Sequence, residues 1–176
     1  MATLDLGRMF RLIAGVRIEN ENNYYQAGIG LMDAIIIKSA MDGNHNIWTL
    51  EKKTCVWAIC RDRDPAFAVV DLGEEAIRKK VAQLRRALQP NVRMLGNIPR
   101  FDLETAYDIY HHLLQPVESG WEGARSLLVV INGPLGQVPL SVLPVKKVKN
   151  GSDRAMLFDE YRSVPWLIRK VSLTRL

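Results

Sequence analysis

The side chains with the strongest chemical potential in this chain are two cysteines and three histidines. Cys55 and Cys60 lie five residues apart in a stretch with strand composition. Side chains alternate along a strand, so an odd spacing sends the two thiols to opposite faces. Neither a disulfide nor a shared metal is expected from that pair. His111 and His112 fall on the polar side of a predicted helix that also carries Glu104 and Asp108. Asp108 and His112, at i and i+4, would supply two metal ligands, but zinc needs three or four and the spacing offers no third. His45 sits between Asn44 and Asn46 in a turn with no ligand-forming neighbours. Cysteine catalysis needs a thiolate, a base within hydrogen-bond reach and donors for the oxyanion. Nothing in the spacing assembles these. The sequence holds no phosphate-binding Gly-x-x-x-x-Gly-Lys loop, no His-Glu-x-x-His helix and no Gly-x-Ser-x-Gly elbow. Gly28-Ile29-Gly30 is too short for a dinucleotide fingerprint. The expectation is therefore no catalytic, cofactor-binding or metal-ligating residue in this chain, and no cofactor.

The elements around these residues are easier to read. Leu127 to Ile131 is an unbroken apolar run ending in three β-branched residues, the pattern of a strand buried on both faces of a parallel sheet. Asn132-Gly133-Pro134 breaks it with a turn signal, since glycine accepts positive φ and proline fixes its own φ and lacks a donor. A second, mostly apolar run, Val138 to Leu143, leaves the turn and ends at Pro144. Thr54–Cys60 and Ala66–Asp71, joined by a polar connector with Pro65, predict a hairpin. Trp57 within it is read as a packing residue.

Gly73–Leu88 predicts a helix with Ile77, Val81, Leu84 and Leu88 on one stripe, Glu74 and Glu75 at its start and arginines and lysines elsewhere. Asp102 is placed to cap a second helix, Leu103–Gln115, which stops at Pro116. Lys146 to Asp159 reads as a polar loop, and Ile168–Thr174 as a strand whose alternation breaks phase at Lys170. The first 53 residues predict two helices, Leu4–Val16 and Tyr24–Met41, with a turn at Asp42-Gly43-Asn44; they form a helical leader or repeat remnant set apart from residues 54–176.

Composition bounds the class. A chain of 176 residues with 48% hydrophobic and 24% charged residues suits one soluble domain with an ordinary core. No apolar run approaches the roughly 20 residues of a spanning helix, and no secretory signal is evident, so a reducing cytoplasm is the expected setting. The net charge of +5 is spread over several elements; its densest group, Lys146, Lys147 and Lys149, has no aromatic residue among it. A solvated loop is the better reading than a nucleic-acid site.

The residues Leu127-Leu128-Val129-Val130-Ile131, then Gly133-Pro134-Leu135, Pro139 and Leu143, resemble the opening of the CHAT domain. That domain often follows tetratricopeptide repeats and belongs to the caspase and separase clan of cysteine peptidases. Phe101–Pro116 resembles the family's helix before this strand, and Trp166-Leu167-Ile168 through Leu176 its following "Tyr-Leu-Ile" strand. Asn132 stands where the family more often has Asp, and Gly136 where it often has His. The resemblance, over residues 54–176, implies an α/β fold: the first part of a caspase-like three-layer α/β/α sandwich, with Gly133, Pro134, Leu135 and Pro139 as its structural motif. It also implies that the family's catalytic His and Cys lie on loops after later strands, so this chain is expected to be the inert N-terminal portion of such a domain. The alternative is a stand-alone regulatory or protein-interaction module. Implied partners are proteins or peptides, with tetratricopeptide repeats in cis, and self-association through an exposed sheet edge; neither nucleic acid nor a membrane is expected.

Overall fold

A mixed α/β arrangement places five strands in one sheet, in the order β3-β2-β1-β4-β5. The computed structural model describes residues 33–39 by their backbone, and 53–60, 64–90, 94, 97–131, 133–148 and 159–175 in full. The strands are β1 (Asp33–Ser39), β2 (Thr54–Ile59), β3 (Ala66–Val70), β4 (Ser126–Ile131) and β5 (Ser172–Arg175). Among the described residues the α-helices are α1 (Glu74–Leu88) and α2 (Leu103–Leu113). Expectations for Leu4–Val16, Gly28-Ile29-Gly30, the turn at 42–44, His45, Asn132, Lys149 and the loop over 149–158 lie outside the described residues.

The helix expected over Tyr24–Met41 is corrected at residues 33–39, which form a strand in the middle of the sheet. The run Ala34–Ile37 contains three successive isoleucines, and β-branched side chains favour a pleated backbone over a helix. β1 runs antiparallel to β2, with Ile35 opposite Ala58, and parallel to β4, with Ile35 opposite Val129. The sheet thus draws its middle strand from the stretch read as a helical leader.

The hairpin expectation holds: β2 and β3 are antiparallel, with Trp57 opposite Phe67. Alternation along β2 buries Thr54, Val56 and Ala58 completely and leaves Cys55, Trp57 and Ile59 half-buried. The buried set packs with Leu127 and Val129 of β4, Ile77, Val81 and Leu84 of α1, and Ala106, Ile109, Tyr110 and Leu113 of α2 in a single core. Both helices therefore lie on one face of the sheet. Buried Thr54 satisfies its hydroxyl by donating to the Leu72 carbonyl at 2.5 Å.

The stripe on α1 ends earlier than expected, at Leu84, because Leu88 is 38% exposed. Asp102 caps α2 as predicted, accepting from the Thr105 amide at 2.9 Å. As expected, the α-helix ends before Pro116, though at Leu113 rather than Gln115, and the chain then tightens into 3₁₀ turns over Gln115–Gly120, where proline in the first turn forfeits no helical bond. Those turns press against the hairpin. A Cβ at Gly120 would lie 2.8 Å from the Ala66 Cβ and 3.0 Å from the Ala58 carbonyl oxygen, so only glycine fits this approach.

β4 and β5 are parallel, with Leu127 opposite Leu173, and the chain must cross back from the end of one to the start of the other. The described crossover is built of 3₁₀ turns at Gly133–Gln137, Leu140–Val142, Asp159–Tyr161 and Leu167–Arg169. Its two arms meet where Val145 donates to Pro165 and Leu167 donates to Leu143, at 2.9 and 2.8 Å. The strand expected from Ile168 is corrected to begin at Ser172. The phase break at Lys170 marks the change, because Leu167–Arg169 is a 3₁₀ turn and the period-2 pattern starts only after it. Among the described residues, no helix is long and apolar enough to cross a membrane.

Candidate functional site

In parallel sheets, ligands gather at the carboxyl ends of the strands. Here that position follows β4 and β5. Gly133 adopts φ 76°, the left-handed conformation its turn requires, and Pro134 and Leu135 bury themselves beneath it. The resulting turn is held from both sides: Arg85 of α1 donates to the Gln137 side chain, and Arg175 of β5 donates to the Gly136 carbonyl. Pro139 starts the next 3₁₀ turn, its carbonyl accepting from Val142 at 3.2 Å. Of the four motif residues, Pro139 lines a cleft of about 430 Å³ between the turn and the β5 edge, beside Gly136 and Gln137, whereas Gly133, Pro134 and Leu135 do not line it. Its polar groups are Gln137, Ser141, Thr174 and Arg175, a set without a nucleophile–base pair.

The cysteines and histidines are elsewhere and apart. Cys55 sits on the sheet face away from the helices, since its neighbours Thr54 and Val56 point into the core. Burial pushes its thiol above the ordinary range, which disfavours the nucleophilic thiolate. No disulfide joins it to Cys60. His111 and His112 belong to α2, across the sheet from Cys55. His111 contacts Gln115 at 2.7 Å and stacks on Tyr107, with ring centres 5.8 Å apart. His112 Nδ1 lies 2.8 Å from the Asp108 carbonyl and 3.2 Å from its carboxylate. That carboxylate is also 2.6 Å from the Lys80 ammonium, which ties α2 to α1. Among the described residues no group of three or more His, Cys, Asp or Glu is arranged to hold a metal ion.

A second cleft, of about 400 Å³, lies on the other side of the crossover. Leu88, Ile98, Phe101, Tyr161, Trp166 and Ile168 give it almost wholly apolar walls. Its aromatic rings brace one another: Phe101 meets Trp166 edge-on at 6.1 Å, and Tyr161 tilts against Trp166 at 6.3 Å. Their polar atoms serve the frame, because the Phe101 amide donates to the Tyr161 hydroxyl at 2.8 Å and the Trp166 indole donates to the Tyr161 carbonyl at 3.0 Å. Sequence reading missed this cleft. Its aromatics come from positions 101, 161 and 166, and no local periodicity links residues so far apart.

Among the described residues, the chain is a mixed α/β arrangement with α1 and α2 on one face of the sheet and two neighbouring clefts. Comparison of the chain with protein-family models, curated proteins and solved structures returns no match.

Proposed function

We propose that this chain is the N-terminal part of a CHAT-type, caspase-like α/β sandwich in a cysteine-peptidase-like protein, and that it acts there as scaffold. The supporting observation is the parallel trio β1-β4-β5, with the Gly133-Pro134-Leu135 turn at the carboxyl end of β4, where the resemblance to the domain's opening falls. In that reading the catalytic His and Cys come from later strands than β5, and tetratricopeptide repeats are partners in cis. Cys55, Cys60, His111 and His112 take no catalytic role. The outer edge of β5, which has no partner strand among the described residues, is where the sheet continues. Left open, such an edge recruits other chains. The charges expected to guard it are placed otherwise: Arg169 and Lys170 precede β5, Lys170 pairs with Glu118, and Arg175 donates to the Gly136 carbonyl.

The test is incubation of the chain with a broad peptide library, alongside Cys55→Ala and Cys60→Ala. No turnover is expected from any of them, whereas cleavage lost on either substitution overturns the scaffold reading. Light scattering adds a second arm: self-association should rise with concentration. A chain that stays monomeric at high concentration and unfolds cooperatively favours the alternative, a stand-alone interaction module. The apolar cleft around Trp166 is the observation that supports that alternative.

A further inference from the structure

A third cleft, of about 600 Å³, lies at the amino ends of β4 and β5, the opposite end of β4 from the Gly133 turn. The two strands are parallel and start level, Ser126 opposite Ser172, so the residues that precede them come together. Arg125 comes just before β4, and Arg169 and Lys170 belong to the turn that leads into β5. The Ser172 amide donates to the Arg125 carbonyl at 3.0 Å, which holds the two approaches side by side. All three cations line the cleft, together with one acid, Glu122.

The three cations are not equivalent. Lys170 is paired with Glu118 and lies 4.9 Å above the Trp121 ring, so its charge is already answered. Arg169 gives one nitrogen to the Arg162 carbonyl at 2.9 Å, a neutral acceptor. Among the described residues neither Arg125 nor Arg169 pairs with an acid, and both are exposed. Glu122 has an interaction of its own. Two guanidinium groups from neighbouring strand ends therefore share one cleft without a paired carboxylate.

We propose that this cleft binds a phosphate group, free or as the terminus of a small organic monoester, between Arg125 and Arg169. A guanidinium presents a planar fork of donors that matches phosphate oxygens, and a tetrahedral dianion has enough oxygens to accept from two forks together. A carboxylate, with two oxygens and one charge, satisfies one fork. Exposed Ile168 in the same lining offers apolar surface to the organic part of a monoester. The site is separate from the Gly133 turn and stands whether or not the chain is part of a CHAT domain.

Isothermal titration calorimetry on the full chain tests it, with phenyl phosphate as probe and inorganic phosphate, benzoate and benzyl alcohol beside it. Phenyl phosphate should bind saturably with a Kd at or below about 1 mM, and at least about tenfold more tightly than benzoate. Arg125→Gln and Arg169→Gln should each weaken it about tenfold, with thermal midpoints unchanged because both positions are exposed. Lys79→Gln, on α1 and outside the cleft lining, should change it less than about twofold, since a distant exposed charge is screened. Inorganic phosphate binding as tightly as phenyl phosphate identifies free phosphate as the ligand; tighter binding of phenyl phosphate identifies a monoester. Benzoate or benzyl alcohol binding as well as phenyl phosphate overturns the inference. So does an affinity indifferent to both arginine variants, one lowered equally by Lys79→Gln, or the absence of saturable binding.

Discussion

The two faces of the sheet are built from the same strands and yet differ sharply. On the helix side, Val56, Ala58 and Leu127 are wholly buried and Val129 nearly so, sealed by α1 and α2. On the far side, Leu128 is buried, but the β3 end opens: Phe67 is 53% and Val69 47% exposed, with Phe67 resting on Trp57 at 4.9 Å. Alternation assigns residues to faces; what seals a face is the layer placed over it. One face is therefore a core. The other, among the described residues, is buried at Leu128 of β4 and open at Phe67 and Val69 of β3.

Substitutions on the two faces should separate widely. Leu127→Ala, which empties a fully enclosed site, should cost about 2–5 kcal/mol in urea unfolding. Val69→Thr, at the open end, should stay within about 0.5 kcal/mol of the parent. A comparable loss from Val69→Thr would break the contrast, because it would mean that the far face is packed too.

A smaller effect is expected where the helix side is closest to its limit. Gly120→Ala drives a methyl group against Ala66 and the backbone of Ala58, and overpacking of this kind costs about 1–3 kcal/mol. A neutral result would show that the 115–120 turns can back away from the hairpin, and that this face is less tightly sealed than its burial implies.

The gentlest probe uses alkali. Tyr110 is buried on the helix side, 3.3 Å from the Glu118 carboxylate, and burial, followed by that carboxylate, raises its phenol well above the ordinary value. Above about pH 10 the unfolded chain ionises this group while the folded chain keeps it protonated, so the folded state binds the extra proton. Its contribution is complete below that pH and declines as pH rises further. Tyr110→Phe should therefore flatten the fall of the urea midpoint between about pH 10 and 11.5, with little change at pH 8. An unchanged alkaline slope would mean that the phenol ionises alike in both states.

Much of this architecture was legible because its signals are local. The β-rich runs and polar connector marked β2 and β3, the stripe marked α1, Asp102 marked the cap of α2, and Gly133 marked the left-handed turn. β1 departs from the helix expected over Tyr24–Met41 because the β-branched Ile35, Ile36 and Ile37, which that expectation leaves out, favour a pleated backbone. Trp166-Leu167-Ile168 has strand composition, yet the pairing of Leu143–Val145 with Pro165–Leu167 turns it into the start of a 3₁₀ segment. The close approach at Gly120 and the aromatic cleft depend on contacts between distant residues. Neither leaves a trace in local spacing.

The middle position of β1 also bears on the order of assembly. β1, β2 and β3 form a meander that is complete at Val70, whereas β4 begins only at Ser126. During synthesis, the meander emerges first and leaves one side of β1 unpaired until β4 has been translated. The β1–β4 pairing links residues far apart in the chain, the kind of contact that forms late and slows folding. While it waits, the exposed side of Asp33–Ser39 is a vacant docking edge in the nascent chain, in the segment where a chaperone would have most to protect.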